Sequence, residues 1–297
     1  MQLEKPCALV TRFIRTLRGG SQPILAEASN GNIYVVKFGN NVQGERLPFN
    51  ESMGTELYSS CGLRVPAWEV LQLTDSFIDC HPSCWFEGPS GRIRPSSGLC
   101  YGSRYLGGET TCLLEILPGA YFSRVRNRAD FWLAWALDVS ADHCDRRQAL
   151  FRVESSRELE AVFVDFGHMF GGATGSKASL PFRTSRYADE RIYPPLPRSL
   201  LVTIKRILCN LDAEALWCKL TSIPDEWKTT SSIQKFTDCL DRLSSASYIA
   251  STLEAMVKSQ EMRTYDPYVP CGEKGSAAAI LHTRVPCDRR RVRSVVL

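Results

Sequence analysis

The chain has 297 residues, 44% of them hydrophobic and 23% charged, and a formal net charge of +4 at pH 7. Such a chain can bury a sizeable core without disulfides or structural metals, as one large domain of two lobes or as two modest domains. The charge is too small to indicate nucleic-acid binding, and twelve cysteines spread over this length are unlike the dense framework of a small secreted domain. We therefore expect reduced thiols, packed mostly as small apolar groups.

The first part of the chain is predicted to form strands joined by tight turns. Residues 8–17 alternate as a strand, and 24–29 and 33–38 follow as a second and a third. A Gly-Gly-Ser turn at 19–21 and an Asn-Gly-Asn turn at 30–32 separate them, and both have hairpin chemistry. The pattern predicts a three-stranded antiparallel meander with a glycine turn at its first bend.

A helix is predicted over 50–61, where apolar residues recur at every fourth position, and Gly62 ends it. A strand over 68–73 follows. Residues 75–112 are rich in Ser, Gly, Pro and Cys and give no clear pattern apart from one strand-like piece, 99–106. That piece is predicted to bridge two lobes.

The second part of the chain is predicted to be mainly helical. Apolar spacing indicates a buried helix over 129–139, and a charged loop, 142–147, follows it. Two strands come next, 149–153 and 161–165. Residues 198–260 have helical patterns with a break at Pro224, and the chain from Thr264 onward is rich in Pro, Gly and Arg, as in a poorly ordered tail.

Neither end of the chain indicates export or a membrane. Residues 1–7 contain no apolar stretch of signal-peptide length, and no later run approaches the roughly 18 apolar residues of a membrane span. The arginine-rich segment 284–291 is typical of a solvated tail, so nucleic acid is not expected as a partner. We expect a cytoplasmic protein.

One cluster, Cys-His-Pro-Ser-Cys at 80–84, resembles a metal-binding motif. A closed zinc site needs four ligands, only Cys100 or Cys112 lies near enough in sequence to complete it, and no second paired motif follows. A loop that contains two cysteines is the favoured interpretation.

Two side chains in the first part of the chain could hold phosphate. Lys37 lies inside an apolar strand, and Glu51, early in the next helix, is able to pair with it. A strand lysine held by a helix glutamate positions a cation on nucleotide phosphates in kinase-like folds, although a strand lysine can also point to solvent. In the turn Gly19-Gly20-Ser21, backbone amides can approach phosphate without hindrance from a Cβ atom.

Two aspartates in the second part could complete such a site. Asp145 lies in the loop after the buried helix, where a turn residue is the commoner interpretation. Asp165 ends an apolar strand and precedes Phe-Gly. A carboxylate beside a core is costly unless it is paired or bound to metal, which favours a magnesium ligand.

The order of these features resembles the HipA-like kinases, the family of toxin–antitoxin serine/threonine kinases and their short, single-domain relatives. The resemblance covers roughly residues 8–260. It is carried by Asn50-Glu51, GLRVP at 62–66, GSR at 102–104, DRRQALF at 145–151, VDFG at 164–167 and IPDEW at 223–227.

The resemblance implies an α+β, two-lobed protein-kinase-like fold. Its N-lobe, about 1–110, would be a small antiparallel sheet with one helix, and its C-lobe, about 111–262, would be mainly helical. Residues 263–297 would be a basic tail. Lys37 would bind phosphate with Glu51 as its partner, Asp145 would be the catalytic-loop aspartate, Asp165 would bind Mg²⁺, and the amide of Gln148 would substitute as a second ligand, as in the short relatives.

Two positions depart from the longer toxin kinases. Leu150 stands where a metal-binding asparagine is found, and His143 stands where an asparagine is usual. The resemblance therefore implies an ATP- and Mg²⁺-dependent kinase acting on Ser or Thr of a protein substrate, with an antitoxin-like protein as a further possible partner. The departures leave two alternatives open: a pseudokinase that binds a nucleotide or a partner without turnover, and a small-molecule kinase.

Overall fold

The computed structural model describes residues 7–108, 111–154, 158–174 and 185–264. The predicted tail therefore lies outside the described residues from 265 onward. Within the described ranges, no helix combines the length and the apolar character needed to cross a bilayer.

The described chain contains ten strands and seven α-helices. The strands are β1 (Ala8–Thr16), β2 (Ile24–Ala28), β3 (Ile33–Lys37), β4 (Trp68–Leu73), β5 (Phe86–Gly88), β6 (Gly91–Ile93), β7 (Gly98–Arg104), β8 (Leu113–Leu114), β9 (Gln148–Val153) and β10 (Leu159–Val164). The helices are α1 (Leu47–Ser60), α2 (Asp75–Cys80), α3 (Asp130–Ser140), α4 (Arg198–Cys209), α5 (Ala213–Thr221), α6 (Thr230–Ser244) and α7 (Ala246–Thr264).

Five strands close into a barrel in the order β1-β2-β3-β7-β4. The predicted meander of β1, β2 and β3 is confirmed, and β1 also pairs in parallel with β4, which closes the sheet. The strand-like piece predicted to bridge the lobes is instead β7, a central strand of this barrel. It lies between β3 and β4, with Lys37 opposite Tyr101. Fully buried side chains such as Tyr34, Val36 and Leu71 fill the barrel.

Helix α1 packs between the barrel and the rest of the chain. It begins three residues before the predicted Asn50 because Pro48 falls in its first turn, where a missing N–H is tolerated. Eleven of its residues are buried, including the polar Asn50 and Glu51. The region 75–112, which gave no clear pattern, contains a second helix, α2, and the β5–β6 hairpin, so this part of the fold has two helices where one was predicted.

The C-terminal part combines helices with a small sheet in the order β10-β9-β8. Helix α3 is almost wholly buried and contributes Trp132 and Trp135 to the larger core. The predicted helical region 198–260 is confirmed as α4 to α7, and Pro224 lies between α5 and α6. Asp145 precedes β9 and Asp165 follows β10, and the antiparallel pairing places the start of β9 beside the end of β10, with Gln148 opposite Val164.

Candidate active site

A cleft that is open to solvent lies between the barrel and the C-terminal part. The sequence indicated eight site residues, and every one of them lines this cleft. They are Gly19, Gly20, Ser21, Lys37, Glu51, Asp145, Gln148 and Asp165.

A buried lysine between two carboxylates lies at the back of the cleft. Lys37 forms an ion pair with Glu51 and a second one with Asp165, with 2.9 Å between Lys37 Nζ and Asp165 Oδ1. Lys37 is 6% exposed and Glu51 2%. The structure thus shows the lysine–glutamate pair that the sequence indicated, and it excludes the alternative in which Lys37 points to solvent.

The charges of this cluster stabilise one another. Burial alone would lower the pKa of Lys37, but the carboxylates of Asp165 and Glu51 outweigh it and hold that pKa above its usual value. Burial alone would raise the pKa of Asp165, but the Lys37 ammonium outweighs it and holds that pKa well below its usual value. Asp165 is therefore a carboxylate and Lys37 a cation at neutral pH.

The loop around Asp165 is held in a strained conformation. Asp165 has φ +62°, a left-handed value that costs a non-glycine residue about 1 kcal/mol or more. Its neighbours compensate: Gln148 Nε2 donates to Asp165 Oδ2 at 2.8 Å, and the amide of Phe166 donates to Glu51 Oε2 at 3.2 Å. Strain of this kind at a cleft is a common feature of functional sites.

Gln148 and Asp165 provide the donor set for a hard cation. Among the residues described, no three His, Cys, Asp or Glu side chains cluster as metal ligands. Mg²⁺ needs no such cage, because it binds through one or two carboxylates, waters and substrate phosphates. The carboxylate of Asp165 fits that pattern, and the amide oxygen of Gln148 can add a neutral oxygen ligand.

The second metal possibility, the cluster at 80–84, is disfavoured. Within the described ranges it does not assemble a metal site: Cys80 is exposed, Cys84 is buried, and His81 Nδ1 lies 2.8 Å from the carbonyl oxygen of Phe77.

Asp145 lies at the mouth of the cleft, half-buried, and its Oδ1 accepts a hydrogen bond from the amide of Arg146 at 2.7 Å. Backbone hydrogen bonds tie its loop to the segment after Asp165. The amide of Cys144 donates to His168 O at 2.9 Å, and that of Phe170 donates to Ala141 O at 2.6 Å. The two aspartate loops therefore form one structural unit, which is why residues 20 positions apart line the same cleft.

The glycine turn is also anchored. Gly19 has φ +133°, a value that L-residues rarely adopt, and its carbonyl accepts from the amide of Gln22 at 3.1 Å. Asn41 Nδ2 donates to Ser21 O at 2.8 Å, and the Gln22 side-chain amide pairs with the backbone of Glu87 at 2.9 and 2.7 Å. The hairpin β5–β6 thus supports the turn from outside the cleft.

Sequence reasoning missed Arg147, the buried cation beneath both loops. Its guanidinium donates to Asp138 at 3.0 and 3.2 Å and to Val164 O at 2.7 Å, and it lies over the rings of Tyr58 and Phe166. The hydroxyl of Tyr58 also donates to Asp138, at 2.7 Å. The available signal was Asp138, a carboxylate inside an otherwise apolar helix, which needs a buried partner.

His143 lies beside this cluster and is neutral. Burial, helped by the nearby Arg147 cation, lowers the pKa of His143 well below its usual value. The unfolded chain protonates this imidazole below its ordinary pKa of about 6.5 whereas the folded chain does not. The unfolded state then binds more protons, so the contribution of His143 makes the folded state less stable as the pH falls through that value.

We therefore expect His143→Gln to reduce the loss of stability between pH 7.5 and pH 5.5. The difference between variant and parent should be roughly 1 kcal/mol, since one proton contributes about 1.4 kcal/mol per pH unit below the unfolded-state pKa. Urea unfolding of both proteins at the two pH values measures it. An identical loss in both proteins would show that His143 becomes protonated without unfolding.

Solved kinase structures share this fold. The Helicobacter pylori proinflammatory kinase CtkA superposes with a TM-score of 0.57 at 12% identity, over 84% of this chain and 99% of that one. The Golgi casein kinase gives 0.50 at 14% identity, over 84% and 74%. No protein-family profile and no curated protein matches the chain. At these identities the likeness shows the fold alone, and the predicted kinase-like fold class is confirmed at that level.

Proposed function

We propose that this chain is an ATP- and Mg²⁺-dependent phosphotransferase, most simply a HipA-like kinase that phosphorylates serine or threonine of a protein. The observation that carries the proposal is the convergence in one cleft of Lys37, Glu51, Asp165 and Asp145. The kinase names of the two proteins that share the fold support it.

The cleft has a surface for each part of a nucleotide. Leu17 and Val35 from the barrel and Leu150 and Val164 from β9 and β10 give apolar walls for a base. Lys37, farther in, would face the phosphates, and the glycine turn lines the same cleft. The buried pair with Glu51 fixes the lysine so that no rotamer entropy is lost when phosphate binds.

The two aspartates would act on opposite sides of the transferred group. Asp165 and Gln148 would hold Mg²⁺, which would supply positive charge against the negative charge that develops on the transferred group. Asp145 is half-buried and forms no ion pair with another described residue, so its second oxygen would accept or orient the proton of an acceptor hydroxyl. The acceptor itself is proposed to be a protein, with an antitoxin-like chain as a second partner.

A nucleotide-binding pseudokinase is the second candidate, and one observation favours it. Leu150 lines the cleft at the position where the resemblance implies a metal-binding asparagine, so the site has an apolar side chain there. Phosphate transfer by the parent protein distinguishes the two, because a pseudokinase would bind ATP without transferring phosphate. Transfer to small alcohols but to no protein would favour a small-molecule kinase.

Lys37→Met tests the nucleotide site. Met keeps the volume of the lysine stem and removes its charge, so we expect ATP affinity to fall by about 1.5–3 kcal/mol, or roughly 10- to 150-fold in Kd. Calorimetric titration measures it, and circular dichroism checks that the variant is folded. Lys205→Met, on the exposed face of α4, is the matched control and should bind like the parent. Unchanged affinity in folded Lys37→Met would exclude Lys37 from the phosphate site.

A further inference from the structure

Arg46, the residue before α1, reaches across to the segment that follows Asp165. Its Nη2 donates to Phe170 O at 2.9 Å, and its backbone amide donates to Ala173 O at 3.2 Å. Its Nε donates to Ser232 Oγ of α6 at 3.1 Å. One side chain thus joins the start of α1, the segment 166–174 and a helix of the C-terminal part.

This arginine is costly to bury. Arg46 is 3% exposed, it forms no hydrogen-bonded pair with a carboxylate among the described residues, and its Nη1 has no hydrogen-bond partner there. Burial lowers the pKa of the guanidinium. A buried cation with so few compensating contacts destabilises the fold compared with an apolar residue of the same size. Its presence is better explained by what it positions than by stability.

The next turn of α1 continues the same line of contacts. Asn50 Nδ2 donates to Gly167 O at 2.9 Å, and Glu51 Oε2 accepts from the amide of Phe166. Glu51 also holds Lys37, which holds Asp165. Three residues of one helix end, Arg46, Asn50 and Glu51, therefore contact backbone groups of 166–170 in order. Displacing this end of α1 would disconnect the cluster at the back of the cleft.

The chain just before Arg46 is fitted to the same segment. Gly44 has φ +142°, and a Cβ atom built on it would lie 2.4 Å from Ala173 O. Any other residue at this position would push the two segments apart. Gly44 and Arg46 therefore give independent reasons for the close approach of α1 to residues 166–174.

We infer that Arg46 is a positioning residue that fastens the start of α1 to the segment 166–174. These contacts keep Lys37, Glu51 and Asp165 together without a phosphorylated side chain. The catalytic part of this inference depends on the proposed function, whereas the fastening itself does not. In kinases whose glutamate helix moves, phosphorylation controls its position. Here the contacts that hold α1 require no phosphate.

Hydrogen exchange tests the fastening directly. In Arg46→Met, amides of 166–174 should exchange about tenfold faster or more, because the arginine contacts that oppose local opening are absent. Amides of β2 and β3 should keep the parent rate. Arg46→Lys, which keeps the charge and can reach one acceptor, should lie between. Arg12→Met, an exposed arginine of β1, is the matched control and should match the parent throughout.

Three results would overturn the inference. The first is an unchanged exchange rate in 166–174 of Arg46→Met. The second is uniform acceleration across the whole chain of that variant, which would make Arg46 a general stabiliser. The third is unprotected amides in 166–174 of parent protein that intact mass shows to carry no phosphate. If Arg46→Met does not fold, Gly44→Ala decides instead, with the same acceleration expected in 166–174 alone.

ATP titration of the parent is run separately. A parent that binds no ATP ends the proposed function and leaves the exchange result to decide the role of Arg46.

Discussion

Asp145→Asn is expected to slow phosphoryl transfer by about 10²-fold or more while ATP affinity stays within a few-fold of the parent. The substitution keeps the shape of the side chain and its hydrogen bond to the Arg146 amide but removes the charge that accepts or orients the acceptor proton. Because this carboxylate acts on the acceptor side, its loss should affect the transition state more than nucleotide binding. Transfer from labelled ATP, followed beside a calorimetric titration, measures both quantities.

Asp225→Asn is the matched control for this experiment. Asp225 is an exposed aspartate paired with Lys228 and does not line the cleft, so its variant should transfer phosphate at the parent rate. Transfer by Asp145→Asn as fast as by the parent would mean that the catalytic aspartate lies elsewhere. If the parent binds Mg²⁺ and ATP but neither the parent nor Asp145→Asn transfers phosphate, the pseudokinase proposal replaces the kinase proposal. Leu150 and His143 are then the first residues to replace with asparagine.

Arg147→Met is expected to destabilise the fold by about 3–5 kcal/mol, because it leaves the fully buried carboxylate of Asp138 without its cation. The same change removes the donors to Val164 O and Asp165 O, at 2.7 and 3.4 Å. The strained backbone of Asp165 should therefore loosen as well. Chemical denaturation of parent and variant gives the difference in the free energy of unfolding.

The neighbouring Arg146 provides the control, since it is exposed and its replacement by Met should change stability by about 0.5 kcal/mol or less. Combining Arg147→Met with Asp138→Asn should cost less than the sum of the two single changes, because the pair acts as one unit. A loss below about 1 kcal/mol for Arg147→Met alone would show that the buried ion pair does not hold the two loops together.

Local patterns in the sequence were sufficient for most of the strands and helices. The strands β1 to β4 alternate regularly between strong turn signals, and Asn-Gly chemistry fixes the bend before Ile33. The parallel pairing of β1 with β4 could not be predicted, because those strands lie far apart in sequence and their register depends on tertiary packing. The helix α2 and the β5–β6 hairpin were missed because residues 75–112 are rich in loop formers.

The site residues were predicted from their order along the chain, and their supports were not. Lys37 and Asp165 stand out because each places a charge inside or at the end of an apolar strand. Arg46 and Arg147 do not, because an arginine in a polar stretch is normally exposed. Their burial follows from the packing of α1 and α3 against the two aspartate loops, which no local pattern in the sequence describes.

The proposed function requires the cleft to bind ATP with Mg²⁺ through Lys37 and Asp165. The most direct test is calorimetric titration of the parent protein with ATP, once in excess Mg²⁺ and once in EDTA. We expect saturable binding to one site, tighter in Mg²⁺ because the cation would link the carboxylate of Asp165 to the nucleotide phosphates. Absence of binding under both conditions, or equal affinity in Mg²⁺ and EDTA, would contradict it.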